Sequence, residues 1–118
     1  MAFKFENLRV WQKSLDFTVC IYDLSKTLPH DERFNLISQI NRAADSIALN
    51  IAEGSTGQTD KQFSVFLGYA LRSAIEVVGC LHILKRKNMI DGSAFTMHYE
   101  LATELIKMIQ SLRKTLDK

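Results

Sequence analysis

One proline, five glycines and two cysteines in 118 residues leave this sequence with few breakers and few cross-links. Sparse punctuation excludes a fold of many short strands and turns. Cys20 and Cys80 both fall inside helical patterns, where a thiol is a small apolar group, so no disulfide framework is expected. His30, His82 and His98 are scattered without metal-ligand spacing. No glutamate is followed by histidine three residues later, which excludes the di-iron centre that helix bundles often carry. A formal charge of +2 and a pI near 8.6 fall short of the imbalance expected when phosphate binding dominates a surface. The start, Met1-Ala2-Phe3-Lys4-Phe5-Glu6, lacks a long apolar run, and no stretch approaches the roughly 18 apolar residues of a membrane span. A cytoplasmic protein with no membrane contact is the expectation.

Short motifs that could signal chemistry lack their context. Ser111-Leu112-Arg113-Lys114 matches Ser-x-x-Lys, but the companion motifs of that acyl-transfer class are missing. Gly54-Ser55-Thr56-Gly57 has the form of a backbone-clamping loop that works beside a sheet, and a helix C-cap with a turn explains it better. No P-loop follows, since Gly57 precedes Gln58 and Thr59. No catalytic, metal-ligating or cofactor-binding residue emerges.

Hydrophobic residues at 47% and charged residues at 24% are ordinary globular usage, and the length suits one domain over 1–118. Three breaks, at Leu28-Pro29-His30-Asp31, Gly54 to Thr59, and Asn88 to Ser93, leave four long segments. Asp31 is expected to cap the second, Thr59 with Gln62 the third, and Ser93 the fourth. The third segment, from Asp60 to Lys87, would run about 40 Å. Ile37, Ile40, Ala44, Ile47 and Ile51 recur at helical spacing, as do Phe63, Leu67, Ala70, Ala74, Val77, Leu81 and Leu84, then Leu101, Leu105, Met108 and Leu112. Such seams joined by short loops predict an all-α, antiparallel, up-down-up-down four-helix bundle.

The first segment carries two apolar stripes. Leu8, Trp11, Leu15, Val19 and Tyr22 cluster on one side; Val10, Phe17, Ile21, Leu24 and Leu28 cluster opposite. One bundle core buries only one stripe well. The Trp11 stripe is expected inside, and Val10, Phe17, Ile21 and Leu24 outside as a subunit interface. Gly68, Arg72 and Gly79, opposite the core stripe of the third segment, would let a neighbouring backbone approach.

The run Gln39-Ile40-Asn41-Arg42-Ala43-Ala44-Asp45-Ser46-Ile47-Ala48-Leu49-Asn50-Ile51-Ala52-Glu53-Gly54 closely resembles the signature of a bacterial four-helix-bundle family named for proteins encoded in rRNA intervening sequences. So do Phe5-Glu6-Asn7-Leu8-Arg9-Val10-Trp11 and Leu28-Pro29-His30-Asp31-Glu32, while Leu71-Arg72-Ser73 departs from the family's Gly-Ser pair before Glu76. The resemblance implies a ring-shaped homopentamer, and a distant relative is a nucleic-acid-associated accessory factor of diversity-generating retroelements. Gln39, Arg42, Ser46, Asn50 and Glu53 share one helical face as a polar seam, either solvated or hydrogen-bonded to a neighbouring helix or subunit.

Alternating helix direction gathers Lys26, Arg33, Lys85, Arg86 and Lys87 at one end of the bundle and Lys4, Arg9, Lys13, Lys61, Arg113 and Lys114 at the other. Basic residues in a last turn complement the helix dipole, and they also suit phosphate. The expected function is therefore a non-enzymatic oligomeric scaffold, binding itself and RNA or a nucleoprotein through Lys85, Arg86, Lys87, Lys26 and Arg33. An adaptor between proteins without nucleic acid is the alternative, and an enzyme the second alternative.

Overall fold

The computed structural model describes residues 3–32 and 34–117, so Arg33 lies outside the described residues. Four helices make up most of it: α1 Arg9–Ser25, α2 Leu36–Ser55, α3 Asp60–Arg86 and α4 Gly92–Leu116. Short 3-10 turns at Lys4–Asn7 and His30–Glu32 precede α1 and α2. Each helix packs on the next and α4 closes back on α1, leaving α1 and α3 on one diagonal and α2 and α4 on the other. This is the expected antiparallel bundle, 44 Å along its longest axis.

The ends differ in detail from the expectation. Asp31 sits in the 3-10 turn, and α2 begins after Asn35, because the residues following Pro29 satisfy their backbone in that turn first. Thr59 does cap α3, accepting from the Gln62 amide at 3.1 Å, while Gln62 reaches back to the Gln58 amide at 2.8 Å. Asp91 rather than Ser93 caps α4, accepting from the Ala94 amide at 2.7 Å. α3 stops in a Schellman turn: Asn88 takes φ 59°, the Met89 amide donates to the Leu84 carbonyl at 2.9 Å and the Asn88 amide to the Lys85 carbonyl at 3.0 Å.

The stripes read for α2 and α3 line the core, with Ile40, Ala44, Ile47, Ile51, Leu67, Ala70, Ala74, Val77, Leu81 and Leu84 fully buried. In α4 the buried line is His98, Ala102, Leu105 and Ile109, while Leu101, Met108 and Leu112 flank it. His98 is accommodated because its Nδ1 donates to the Ala94 carbonyl at 2.7 Å. Contrary to the expectation from the sequence, α3 is long and apolar enough to meet the length and composition of a membrane span, with mean hydropathy 1.4 over its most apolar 18 residues. Here its apolar seam is core, packed between α2 and α4.

On α1 the expectation is reversed. Val10, Phe17, Ile21 and Leu24 are 5, 3, 0 and 7% exposed and belong to the central core. They are no subunit interface. Ser14 completes their line, fully buried, with its hydroxyl satisfied by the Trp11 carbonyl at 2.5 Å. With Ser14 counted, Val10, Ser14, Phe17, Ile21, Leu24 and Leu28 form an unbroken seam at alternating four-three spacing, which suits a bundle core better than the Trp11 side does. The other stripe faces out: Leu15, Val19 and Tyr22 are exposed, and Leu8 and Trp11 pack only partly on the core's edge, where Phe5 meets the indole edge-on at 4.8 Å.

α2 and α3 share the most extensive helix–helix interface, and Gly54 sits in it against Phe66 and Phe63. A Cβ built on Gly54 would sit 2.5 Å from the Cβ of Phe66. Gly54 is still inside α2 and no described glycine has positive φ, so its role is close packing rather than the C-cap expected from the sequence.

Candidate nucleic-acid interface

The C-terminal turn of α1, the start of α2, the end of α3 and the start of α4 share one end of the bundle. Lys85 and Arg86 close the last turn of α3 and Lys87 follows as its cap; all three are exposed and none makes an ion pair among the described residues. With His82, Ile83 and Asn88 they line an open concavity of about 610 Å³. Lys26, expected to join them, is occupied locally: its ammonium lies 4.0 Å from Asp23 Oδ1 and 4.3 Å from the Tyr22 ring centre. Arg33 lies outside the described residues.

Sequence reasoning missed the aromatic half of this end. Lys85 Nζ lies 4.8 Å from the centre of the Phe95 ring, Phe95 stacks on Tyr99 at 5.5 Å and 24°, and His82 meets both rings edge-on at 5.0 and 6.1 Å. The legible signal was Phe95 and Tyr99 four residues apart on α4, one helical face, in the first turns after the reversal that follows the basic run.

The polar seam on α2 divides. Gln39 donates to Glu76 of α3 at 3.4 Å, and Ser46 accepts from the Ser73 hydroxyl at 3.0 Å. Asn50 turns back along its own helix to the carbonyl and hydroxyl of Ser46, at 2.9 and 3.0 Å. Arg42 and Glu53 are exposed, with no side-chain hydrogen bond or ion pair among the described residues. Two of the five seam residues therefore tie α2 to α3, one bonds within α2, and two face out.

The outer face of α3 keeps part of its expected character. Arg72 is exposed, beside Val65, Tyr69 and Ile75, which are 43, 44 and 56% exposed, and a Cβ on Gly79 would meet nothing within 4 Å. Gly68 is different: a Cβ there would lie 3.1 Å from the Arg113 guanidinium. Arg113 reaches across from α4 and donates to the Ser64 hydroxyl at 3.3 Å, and that hydroxyl donates to Asp117 at 2.6 Å. The small residue at 68 thus makes room for the Arg113 side chain of α4 in the same chain, while still lining the outer concavity with Val65, Tyr69, Arg72 and Ile75.

Among the described residues no three His, Cys, Asp or Glu side chains could hold one ion. Burial, with the nearby Glu76 charge second, pushes the Cys80 thiol above its ordinary range, away from a reactive thiolate. Cys20 sits in a narrow cleft between α1 and α4 lined by Phe17, Leu101, Leu105 and Met108, with a Lys13–Glu104 ion pair of 3.8 Å at its margin.

The model of the 23S rRNA-intervening sequence protein family matches residues 6–111. A solved structure from Bacteroides thetaiotaomicron VPI-5482, a protein of unknown function from the S23 ribosomal protein family, superposes with a TM-score of 0.83 at 33% identity, covering 89% of this chain and 98% of that one. Neither is described by an enzymatic activity. No curated protein matches.

Proposed function

From the premise that the chain belongs to the 23S rRNA-intervening sequence protein family, we propose that it is a non-enzymatic cytoplasmic scaffold that closes into a ring of identical subunits and contacts RNA through the Lys85–Arg86–Lys87 end. The carrying observation is the pair of exposed apolar faces on diagonally opposed helices, Leu15, Val19 and Tyr22 on α1 and Val65, Tyr69 and Ile75 on α3. Two unlike faces on opposite sides favour head-to-tail association, and head-to-tail contacts that close give cyclic rings, five-membered by the family resemblance. Charge agrees with this pairing: Arg72 sits in the α3 face, while Asp45 borders the concavity that Thr18, Val19, Tyr22 and Asn41 form beside α1. Cyclic symmetry turns every subunit the same way, so three basic residues per chain become a continuous positive rim able to contact several phosphates.

Head-to-tail association has a specific test in solution. Val19→Glu blocks one face and Ile75→Glu the other, so each variant alone sediments as a folded monomer. Mixed in equal amounts, the two retain one good interface and form a heterodimer. A mixture that stays monomeric, or a parent chain that is monomeric at tens of micromolar, removes the ring.

RNA contact is tested separately by filter binding. Affinity for RNA should fall steeply with salt, and replacing Lys85, Arg86 and Lys87 together by alanine should weaken binding and flatten that slope without altering sequence preference. Absence of binding at low salt leaves a ring-shaped protein adaptor.

A further inference from the structure

The basic end carries more than charge. Phe95 contacts two partners, the Lys85 ammonium and the Tyr99 ring, and His82 meets both aromatic rings edge-on. Tyr99 is nevertheless 40% exposed, so the ring that ends the stack still offers surface to solvent. His82 is exposed beside it and opens onto the same concavity as Lys85, Arg86 and Lys87. Asp91 lies close in sequence, but its carboxylate serves the N-cap of α4, where the helix dipole offsets its charge.

An aromatic surface of this kind, set beside a track of cations, matches what single strands require: phosphates along the positive groove and base faces on rings. A duplex keeps its base faces inside its own stack and offers such a ring nothing to stack on. Resting on the RNA reading above, we infer that this end takes single-stranded RNA, an unpaired base extending the Phe95–Tyr99 stack on the open side of Tyr99 while adjoining phosphates lie against Lys85, Arg86 and Lys87. The preference is for strandedness rather than sequence, since every base has a π-face.

Fluorescence anisotropy with an oligoadenylate of about 12 nucleotides, and with an RNA duplex of the same length at the same salt, tests this against the assembled protein. The single strand should bind more tightly. Tyr99→Ala should weaken it roughly 5- to 150-fold, the worth of one base–aromatic stack, with the salt slope unchanged. Tyr99→Phe should restore binding, and Tyr99→Leu, which keeps bulk without the ring, should not; circular dichroism confirms that each variant is folded. Equal affinity for both RNAs with a neutral Tyr99→Ala overturns stacking while leaving phosphate contact at the triple-basic run intact. Binding of neither RNA overturns the RNA reading itself, and stacking with it.

Discussion

Phe17→Glu should leave the chain without most of its far-UV helical signal at 25 °C, whereas Val19→Glu, two residues on, should leave that signal unchanged. The two side chains point to opposite sides of α1, with Phe17 3% and Val19 57% exposed. Removing a buried phenylalanine ring costs about 3–5 kcal/mol. A carboxylate in its place must in addition give up its hydration among Ile21, Leu105 and other apolar neighbours, or take up a proton. Domains of this size hold roughly 5–15 kcal/mol in total, so the sum removes most or all of it. A Phe17→Glu chain that is fully helical yet dissociated would put this stripe back on the outside and undo the α1 assignment.

The second large effect separates two glycines that look alike in the sequence. Gly79→Ala, in open space on an exposed helix face, should gain about 1 kcal/mol from helix propensity, raising Tm by roughly 4 °C. Gly54→Ala should lower Tm despite the same propensity gain. Its new methyl would lie 2.5 Å from Phe66 Cβ, about 1 Å inside normal contact, and 3.1 Å from the Phe63 ring. Phe66 Cβ is fixed to the α3 backbone and cannot swing aside, so α2 and α3 must separate along a tightly packed seam. Overpacking of this kind costs about 1–3 kcal/mol, and Gly54→Val should cost more. Thermal melts of both alanine variants in the Val19→Glu background, where subunit association does not contribute, give the comparison. A rise in Tm for Gly54→Ala would mean that the close approach is absent.

These two cases show where the sequence was legible. Helix number, direction and the seams of α2 and α3 followed from three-four spacing and three breaks, because the buried stripe of each of those helices runs without a polar interruption, even though α3 also exposes Val65, Tyr69 and Ile75. α1 has two apolar stripes, and its decisive residue was polar: Ser14 reads as an interruption until its hydroxyl is seen to be satisfied within the helix. Gly54 lies next to a turn, which favours a capping reading, and only the neighbouring helix reveals that missing volume is the point. The left-handed position fell instead to Asn88. At the candidate interface the basic run was visible as consecutive residues. Phe95 and Tyr99 were visible as a same-face pair on α4, but they join the basic run only through the α3–α4 reversal.

That reversal determines how costly recognition is to organise. The Schellman turn uses the Leu84 and Lys85 carbonyls on the Met89 and Asn88 amides, so the chain passes from the basic run to the start of α4 with its backbone already bonded. Cations on one helix and rings on the next then belong to a single rigid piece, not to a loop that must order around its target. A strand settling there would lose its own conformational freedom but demand little from the protein, and affinity lost on substitution of Tyr99 should surface as faster release rather than slower capture.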